Sequence, residues 1–402
     1  YNLTVLTEIA QPDIDSSLTV FCNSIDDVDS TAWDKFVGTN NVYLTRNYVK
    51  ALEEGLTHTA FRYIQFFDSN NEFIGLGYCQ IIPITPNEIN TTALSERMGG
   101  MLPKSIINSI DVKILICGNA FATGENGFLF SKDISEDQAF NELYKAIDEV
   151  HLREKKAGNK IAITLIKEFW PESLNKAACF KENGCCEVNI DVNMILQLDA
   201  SWQSFEDYLN AMNSKFRTKA KQVFKKSEGL SVIDFDATPS EALVNQVDEL
   251  YSAIVDRANF SFGRLNAKTL FAMKKALGDD FYFRGYYVDS KLIGFSTATL
   301  FDDVFDGNFI GLDYDYNLDY AVYQRMLYDF VDKAIRRKLK FVKIGRTAEE
   351  IKSGVGAEPV EMKFYAKHRN KVTNAILRPF IQNLKPSEFN LRRPFKAEYY
   401  TD

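Results

Sequence analysis

The sequence predicts an α/β protein of two tandem units, each a mixed, mainly antiparallel, twisted sheet flanked by helices. Three observations predict it. Phe281–Val288, Asp289-Ser290-Lys291 and Leu292–Ser296 form an aromatic strand, a polar turn and a return strand opening near Ile-Gly. Phe61–Phe67, Asp68–Asn71 and Phe73–Gly77 repeat that order in the first half. Downstream of each hairpin, Leu143–Asp148 echoes Leu327–Asp332 within a helical pattern, followed by a basic stretch and the β-branched runs Lys160–Ile166 and Lys340–Ile344. Hairpin, helix and strand recurring in one order are the signature of an internal duplication.

The elements follow in order. Trp33 to Glu54 carries apolar residues at three- and four-residue spacing and predicts a helix that Gly55 ends. The first hairpin runs to Ile84, where Pro83 and Pro86 stop it, and Thr91–Ile110 predicts short pieces and loops. Asp111–Cys117 predicts a buried strand leading into Gly118-Asn119 and Gly124. Ser135 caps a helix to Lys156, and strands Ile161–Ile166 and Val188–Leu198 close the first unit. A helix from Trp202 to about Lys226 follows, bearing Lys215, Arg217, Lys219, Lys221, Lys225 and Lys226 with no acid until Glu228. The boundary falls at Leu230–Pro239, giving an N-terminal unit 1–229 that includes the basic helix and a C-terminal unit 230–402. In the second unit a helix over Glu241–Arg257 precedes the hairpin, and Thr297–Phe301 and Phe305–Asp313 extend the sheet. The amphipathic helix to Leu339 leads to strand Lys340–Ile344, a short helix near Thr347–Lys352, strand Val360–Tyr365 and a tail helix from Asn370.

Composition narrows the function. The chain has 402 residues, 46% hydrophobic and 25% charged, which is ordinary for a globular protein of two or three domains. Its 31 Phe and 19 Tyr supply large amphipathic surfaces for a core or cleft. A net charge of −8 argues against a general nucleic-acid binder and confines any anion site to a local basic patch. The six cysteines form no CxxC pair and three histidines make no histidine-rich site, so reduced thiols and no metal are expected. No apolar run approaches the ~20 residues of a membrane span. A cytoplasmic protein is therefore expected, with peripheral contact at an inner membrane left open.

Gly311–Tyr316, the helix Tyr320–Leu339, Lys340–Thr347 and Glu350–Ala357, together with Tyr208-Leu209 and Lys215–Ala220, resemble the bacterial tandem branch of the GNAT N-acyltransferase superfamily, which includes the Fem-type aminoacyltransferases. The resemblance covers nearly the whole chain. It implies acyl transfer from a thioester co-substrate, acyl-CoA or acyl carrier protein, to a primary amine on a small molecule or lipid, with the active site in the C-terminal unit. Two departures bear on the donor. The superfamily's glycine-containing pyrophosphate loop is replaced by Asn317-Leu318-Asp319-Tyr320-Ala321-Val322-Tyr323, and the long helical hairpin by which Fem enzymes hold tRNA is not legible. The rival readings are a Fem-like transfer from aminoacyl-tRNA to a peptidoglycan precursor, the one route by which nucleic acid would enter, and a ligand-binding protein without catalysis.

Amide formation needs a neutral amine, donors for the oxyanion and a proton for the leaving group. Asp313, at a strand end, is the candidate base, with Tyr316 or Tyr323 as proton donor and Tyr314 beside them; the alternative makes Asp313 and Asp315 turn residues. Gly345-Arg346-Thr347 opens a short helix, so Arg346 and Thr347 are candidates for a phosphate or carboxylate, or Thr347 is an N-cap with Glu350 three residues on. Lys352 is the cationic candidate after Arg346, and His368, at a strand end in a basic run, the candidate titrating near neutrality. Gly118 and Asn119 line the corresponding strand end of the first unit, and Arg217 represents the basic helix, open to CoA or carrier-protein phosphates, tRNA or anionic headgroups.

Overall fold

The computed structural model describes residues 13–39, 41–84, 112–174, 177–257, 264–375 and 388–400. The expectation for Thr91–Ile110, and the tail helix beyond residue 375, lie outside them.

The first half opens with β1 (Val20–Cys22), α1 (Ser30–Val37) and α2 (Arg46–Gly55), then the hairpin β2 (Ala60–Phe67) and β3 (Phe73–Ile84). It continues through β4 (Val112–Cys117), β5 (Phe128–Phe130), α3 (Glu136–Lys156), β6 (Ile161–Phe169), α4 (Ala178–Glu182) and β7 (Cys186–Asn189). Next come β8 (Asn193–Gln197), α5 (Phe205–Ala211), α6 (Ser214–Lys226), β9 (Ser231–Asp234), α7 (Glu241–Val255) and α8 (Ala267–Leu277). The second hairpin is β10 (Phe281–Val288) and β11 (Lys291–Phe301), followed by β12 (Val304–Leu312), α9 (Tyr314–Tyr320) and α10 (Val322–Arg336). The chain closes through β13 (Phe341–Lys343), α11 (Glu349–Ser353), β14 (Glu358–Val360) and β15 (Lys363–His368).

The duplication is real in three dimensions. Strand order in one sheet is β1-β2-β3-β4-β6-β15-β7, with β5 on β3; in the other it is β9-β10-β11-β12-β13-β8-β14. Both hairpins are antiparallel and shift register near the turn, at Phe66/Phe67 and at Tyr286/Tyr287. Each sheet holds one parallel pair at the corresponding place, β4 with β6 and β12 with β13. A helix crosses between the members of each pair, as a parallel connection requires.

The division near residue 230 needs correction. Strand β8 lies in the second sheet between β13 and β14, and β15 lies in the first between β6 and β7. Each unit gives its last strand to the other. Tyr208, Leu209, Ala220 and Val223 of α5 and α6 likewise pack with Tyr328 and Val331 of α10, so the basic helix belongs to the second core. The expected strands Val188–Leu198 and Val360–Tyr365 each span a crossing point, which hydrophobic pattern cannot reveal because both sides of the crossing are buried. Two helices are also broken. Gly38, at φ +52°, ends α1 and a 3-10 turn at Val42–Leu44 precedes α2. Met212 leaves the helix to bridge Phe395, separating α5 from α6.

Each sheet is covered on one side by its own helices: Leu143 and Ile147 of α3 sit against the first, and Leu327, Phe330 and Val331 of α10 against the second. A third core joins the units: Trp33, Tyr48 and Leu52 of α1 and α2 meet Leu270 and Phe271 of α8, with Phe61 and Tyr78 on one side and Phe281, Phe283 and Phe295 on the other. Gly55 is required where α2 crosses α8, because a Cβ there would lie 1.9 Å from Thr269 Oγ1.

Candidate functional site

In the second sheet β12 pairs with β13 only through Val304↔Phe341, Phe305↔Val342 and Asp306↔Lys343; beyond that β12 runs on alone against β11 to Leu312. The two strands part between the tail of β12 and the loop leaving β13. The first sheet repeats this after Cys117↔Ile166, where Gly118, at φ +129°, passes so near Lys167 that a Cβ would lie 2.9 Å from its Cγ. The register of β11 and β12 shifts where β12 leaves β13, between Ser296/Ala298. The Thr297 hydroxyl there bonds both the N–H (2.9 Å) and the carbonyl (3.0 Å) of Phe309. Ordinary ladder bonds are interrupted, and a threonine takes them over.

The ends of β6 and β13 are tied together by charge. Glu168, at the end of β6, pairs with Arg346, just past β13, at 2.5 Å, and with Lys167 at 3.2 Å, and accepts the Gly124 N–H at 3.1 Å. Burial drives the Glu168 carboxyl upward, but Lys167, Arg346 and the Gly124 N–H together hold it below the usual range. The Arg346 Nε also donates to the Asp191 carbonyl at 3.0 Å. Lys343 sits 4.4 Å from the ring centroid of Trp170, a second cross-unit contact. On the neighbouring strand Asp306 is 3% exposed and accepts from the Tyr43 hydroxyl at 2.7 Å. Burial raises Asp306 to about 6, against the pull of Lys343 and Tyr43.

Lys352 is buried, not solvent-facing; its Nζ donates to the Arg346 carbonyl at 2.5 Å. Burial lowers it to about 7, Arg346 adding to the effect and Glu349 opposing it. Tyr323 is pushed up by burial and by Tyr314 and Glu349, which ties it to the same neighbourhood. Gly345, Thr347 and Ala348 all have positive φ, at +69°, +66° and +51°, and this tight turn brings the Arg346 carbonyl over Lys352. Thr347 is not the N-cap: Ala348 holds that position without a side-chain bond, and Glu350 pairs with Arg392.

Of the residues singled out from sequence, Arg346 and Lys352 are in contact, Tyr323 and Tyr314 share a core, and Glu349 acts on both Lys352 and Tyr323. Asp313 and Tyr316 sit at the start of α9, and Tyr316 packs against the same core as Tyr314 and Tyr323. Asp313 caps α9 through the Asp315 N–H and pairs with Lys291 at 2.9 Å, and Lys291 also sits 4.5 Å over the Tyr316 ring. Tyr314, between them, lies under Arg257, whose guanidinium carbon is 3.6 Å from the ring centroid. His368 is on β15 in the first sheet, where its Nδ1 accepts from the Asn370 N–H at 3.1 Å. Asn119 is 1% exposed and structural: it donates to the Tyr48 hydroxyl and accepts from the Phe121 N–H. Arg217 is half-buried on α6 and makes no side-chain ion pair or hydrogen bond among the described residues.

Sequence reasoning missed Tyr43, Lys167, Glu168, Asp306 and Asn308. A signal existed. Lys167-Glu168 in β6 and Asp306 in β12 are charges inside otherwise apolar strands, and a buried charge marks a site more often than a strand-end turn does.

The helix start at α10, where a pyrophosphate loop would stand, is occupied from within. Helix α9 packs ahead of it, Ala321 takes the left-handed conformation, and the Asn317 side chain accepts the Tyr323 N–H at 3.0 Å. Among the described residues no group of three or more His, Cys, Asp or Glu could hold a metal ion, and no helix is long and apolar enough to cross a membrane.

Most of the chain is similar to solved structures. FemX matches with a TM-score of 0.53 and 11% identity, over 87% of this chain and 98% of that one. A tandem GNAT protein from the clavulanic acid biosynthesis pathway, solved without AcCoA, matches with a TM-score of 0.50 and 11% identity, over 88% and 99%. No family model and no curated protein matches the sequence. At this identity the likeness shows the fold: a tandem GNAT fold.

Proposed function

We propose that the protein is an N-acyltransferase acting where β12 and β13 of the second sheet part, moving an acyl group from a thioester, acyl-CoA or an acyl carrier protein, to a primary amine on a small molecule or lipid. The carrying observation is the parallel pair β12 and β13 parting after Asp306↔Lys343, with Arg346 and the buried Lys352 at its open end. In the reaction the amine nitrogen bonds to the thioester carbonyl carbon, the C–S bond breaks, and the proton lost by nitrogen goes to the departing thiolate. Lys352, held near 7 by burial, is the group suited to take that proton and return it. Asp313, already engaged by Lys291 and the start of α9, gives up the role of base assigned to it above. Arg346 lends positive charge toward the oxyanion, and Tyr323 remains protonated as a donor. The basic face of α6 is the natural hold for donor phosphates.

One observation favours a second reading. Asn317 fills the amide that would otherwise meet pyrophosphate, so a donor anchored elsewhere, aminoacyl-tRNA, competes with CoA. The test follows thiol release from acetyl-, hexanoyl- and palmitoyl-CoA with ethanolamine, lysine and octylamine. Thiol release with amide product supports the first reading; activity that appears only with charged tRNA and is abolished by RNase supports the second. Neither activity defeats both. Lys352→Met is expected to lower kcat by about 10²–10⁴-fold, the worth of a positioned proton carrier, at little change in KM.

A further inference from the structure

Tyr43 comes from the first unit, is 1% exposed, and reaches β11 and β12 of the second sheet. Its hydroxyl meets three groups: Thr299 Oγ1 at 2.5 Å, Asp306 Oδ2 at 2.7 Å and Asn308 Nδ2 at 2.9 Å. Counting protons fixes the arrangement. A phenol has one O–H to give and two lone pairs, while a carboxylate only accepts. Tyr43 therefore donates to Asp306 and accepts from Thr299 and from the Asn308 amide. Asn308 must present its NH₂ to Tyr43, which turns its carbonyl Oδ1 away. That Oδ1 is buried and without a hydrogen-bond partner. Asn308 itself is half-buried and stands in the irregular stretch of β12 where the strands part.

An acceptor left unpaired at such a place costs stability unless something donates to it. In amide synthesis the reacting group that carries N–H is the amine; the thioester has none at its reacting centre. Resting on the acyl-transfer reading above, we propose that Asn308 is the residue that receives the acceptor amine, its side-chain carbonyl taking an N–H, and that Tyr43 is the positioning residue that aims it. The substrate class is then a primary amine with an N–H to spare at the moment of attack. The first unit, whose own strands part at Gly118 and Lys167, thereby serves the second unit's chemistry.

The arrangement depends on Asp306 being ionised. The groups facing it are Tyr43 and Tyr48 of the first unit, Lys343 of β13 and Glu168 of β6. Once Asp306 carries its own proton it can donate to Tyr43, the phenol proton is free to turn, and the amide loses its fixed direction. Amine binding should weaken as pH falls through about 6.

The experiment measures KM for ethanolamine, on its free-base concentration, and KM for the acyl-CoA in the same thiol-release assay between pH 5 and 8. It uses the wild type, Asn308→Ala, Asn308→Gln and Tyr43→Phe, with unfolding midpoints recorded for each. Asn308→Ala should raise the amine KM about tenfold, the worth of one hydrogen bond, leaving the acyl-CoA KM unchanged. Tyr43→Phe should raise it less and abolish the inflection near pH 6 expected of the wild type. A merely structural role would move the midpoint and both KM values without removing that inflection. Folded Asn308 variants with a wild-type amine KM, or a wild-type pH profile in Tyr43→Phe, overturn the proposal while the acyl-transfer reading stands. Should the Asn308 variants not fold, the Tyr43→Phe profile decides alone. No thiol release by the wild type with any amine overturns the acyl-CoA reading and this inference with it.

Discussion

At the residue scale the site is built from charges placed where the chain would otherwise be apolar. Asp306 and Lys352 both titrate far from their ordinary values, at about 6 and about 7, and burial is the main cause in each. Their consequences for stability have definite signs. Asp306 binds a proton more readily folded than unfolded, so the folded state gains stability as pH falls from about 6 toward the ordinary carboxyl value of 3.8 and loses it on the way up. Asp306→Asn should flatten the dependence of the unfolding midpoint over that window. Lys352 does the reverse: folding favours its neutral form, so stability rises with pH between about 7 and 10.5. Lys352→Met should be at least as stable as the wild type at pH 7 while losing activity, the pattern of a group kept for chemistry. Glu168→Ala is the opposite case. It strips the buried partner from Lys167 and Arg346 and is expected to cost about 3 kcal/mol by chemical denaturation.

At the element scale the structure explains what the sequence showed and what it hid. Both hairpins were legible because alternation and a polar turn specify them locally, and Asp289 and Asn71 take left-handed turn positions as such residues do. Helix α10 was legible from its apolar spacing. Its start was not: Tyr314–Tyr320 looks like a turn because Asp313, Asp315 and Asn317 all favour one, yet it forms α9, with Asp313 as its cap. Arg346 and Lys352 could be found because they follow a strand by a fixed short distance. The Glu168 that pairs with Arg346 lies 178 positions earlier on another sheet, and no local pattern carries such a pairing. The joint between α9 and α10 offers its own check. Ala321 sits at φ +51°, which a Cβ resists, so Ala321→Gly should be neutral or stabilise by up to about 1 kcal/mol, read from the unfolding midpoint.

At the scale of the whole molecule the units are not separable. The exchange of β8 and β15 puts a strand of each half inside the other's sheet, and the core of α1, α2, α7 and α8 belongs to both. A fragment ending at residue 229 would leave β6 and β7 without β15 between them and β8 without a sheet. Expressed alone it is expected to be insoluble or unfolded by circular dichroism and hydrogen exchange, despite containing nearly all of one copy of the repeat. The acidic chain nevertheless carries a helix, α6, with six Lys or Arg and no acid over Lys215–Lys226. Packed on the second core beside α10, it keeps its positive field on the unit that holds the proposed site.

The exchanged strands also set a timetable for the ribosome. A chain made from its N-terminus presents β1 to β4, β6 and β7 long before residue 368 leaves the tunnel, so the first sheet waits, its inner edges bare, for a strand translated after β8 to β14. The half synthesised first is thus among the last to be completed, and whatever shields those edges in the interval decides how much of the protein reaches its native state.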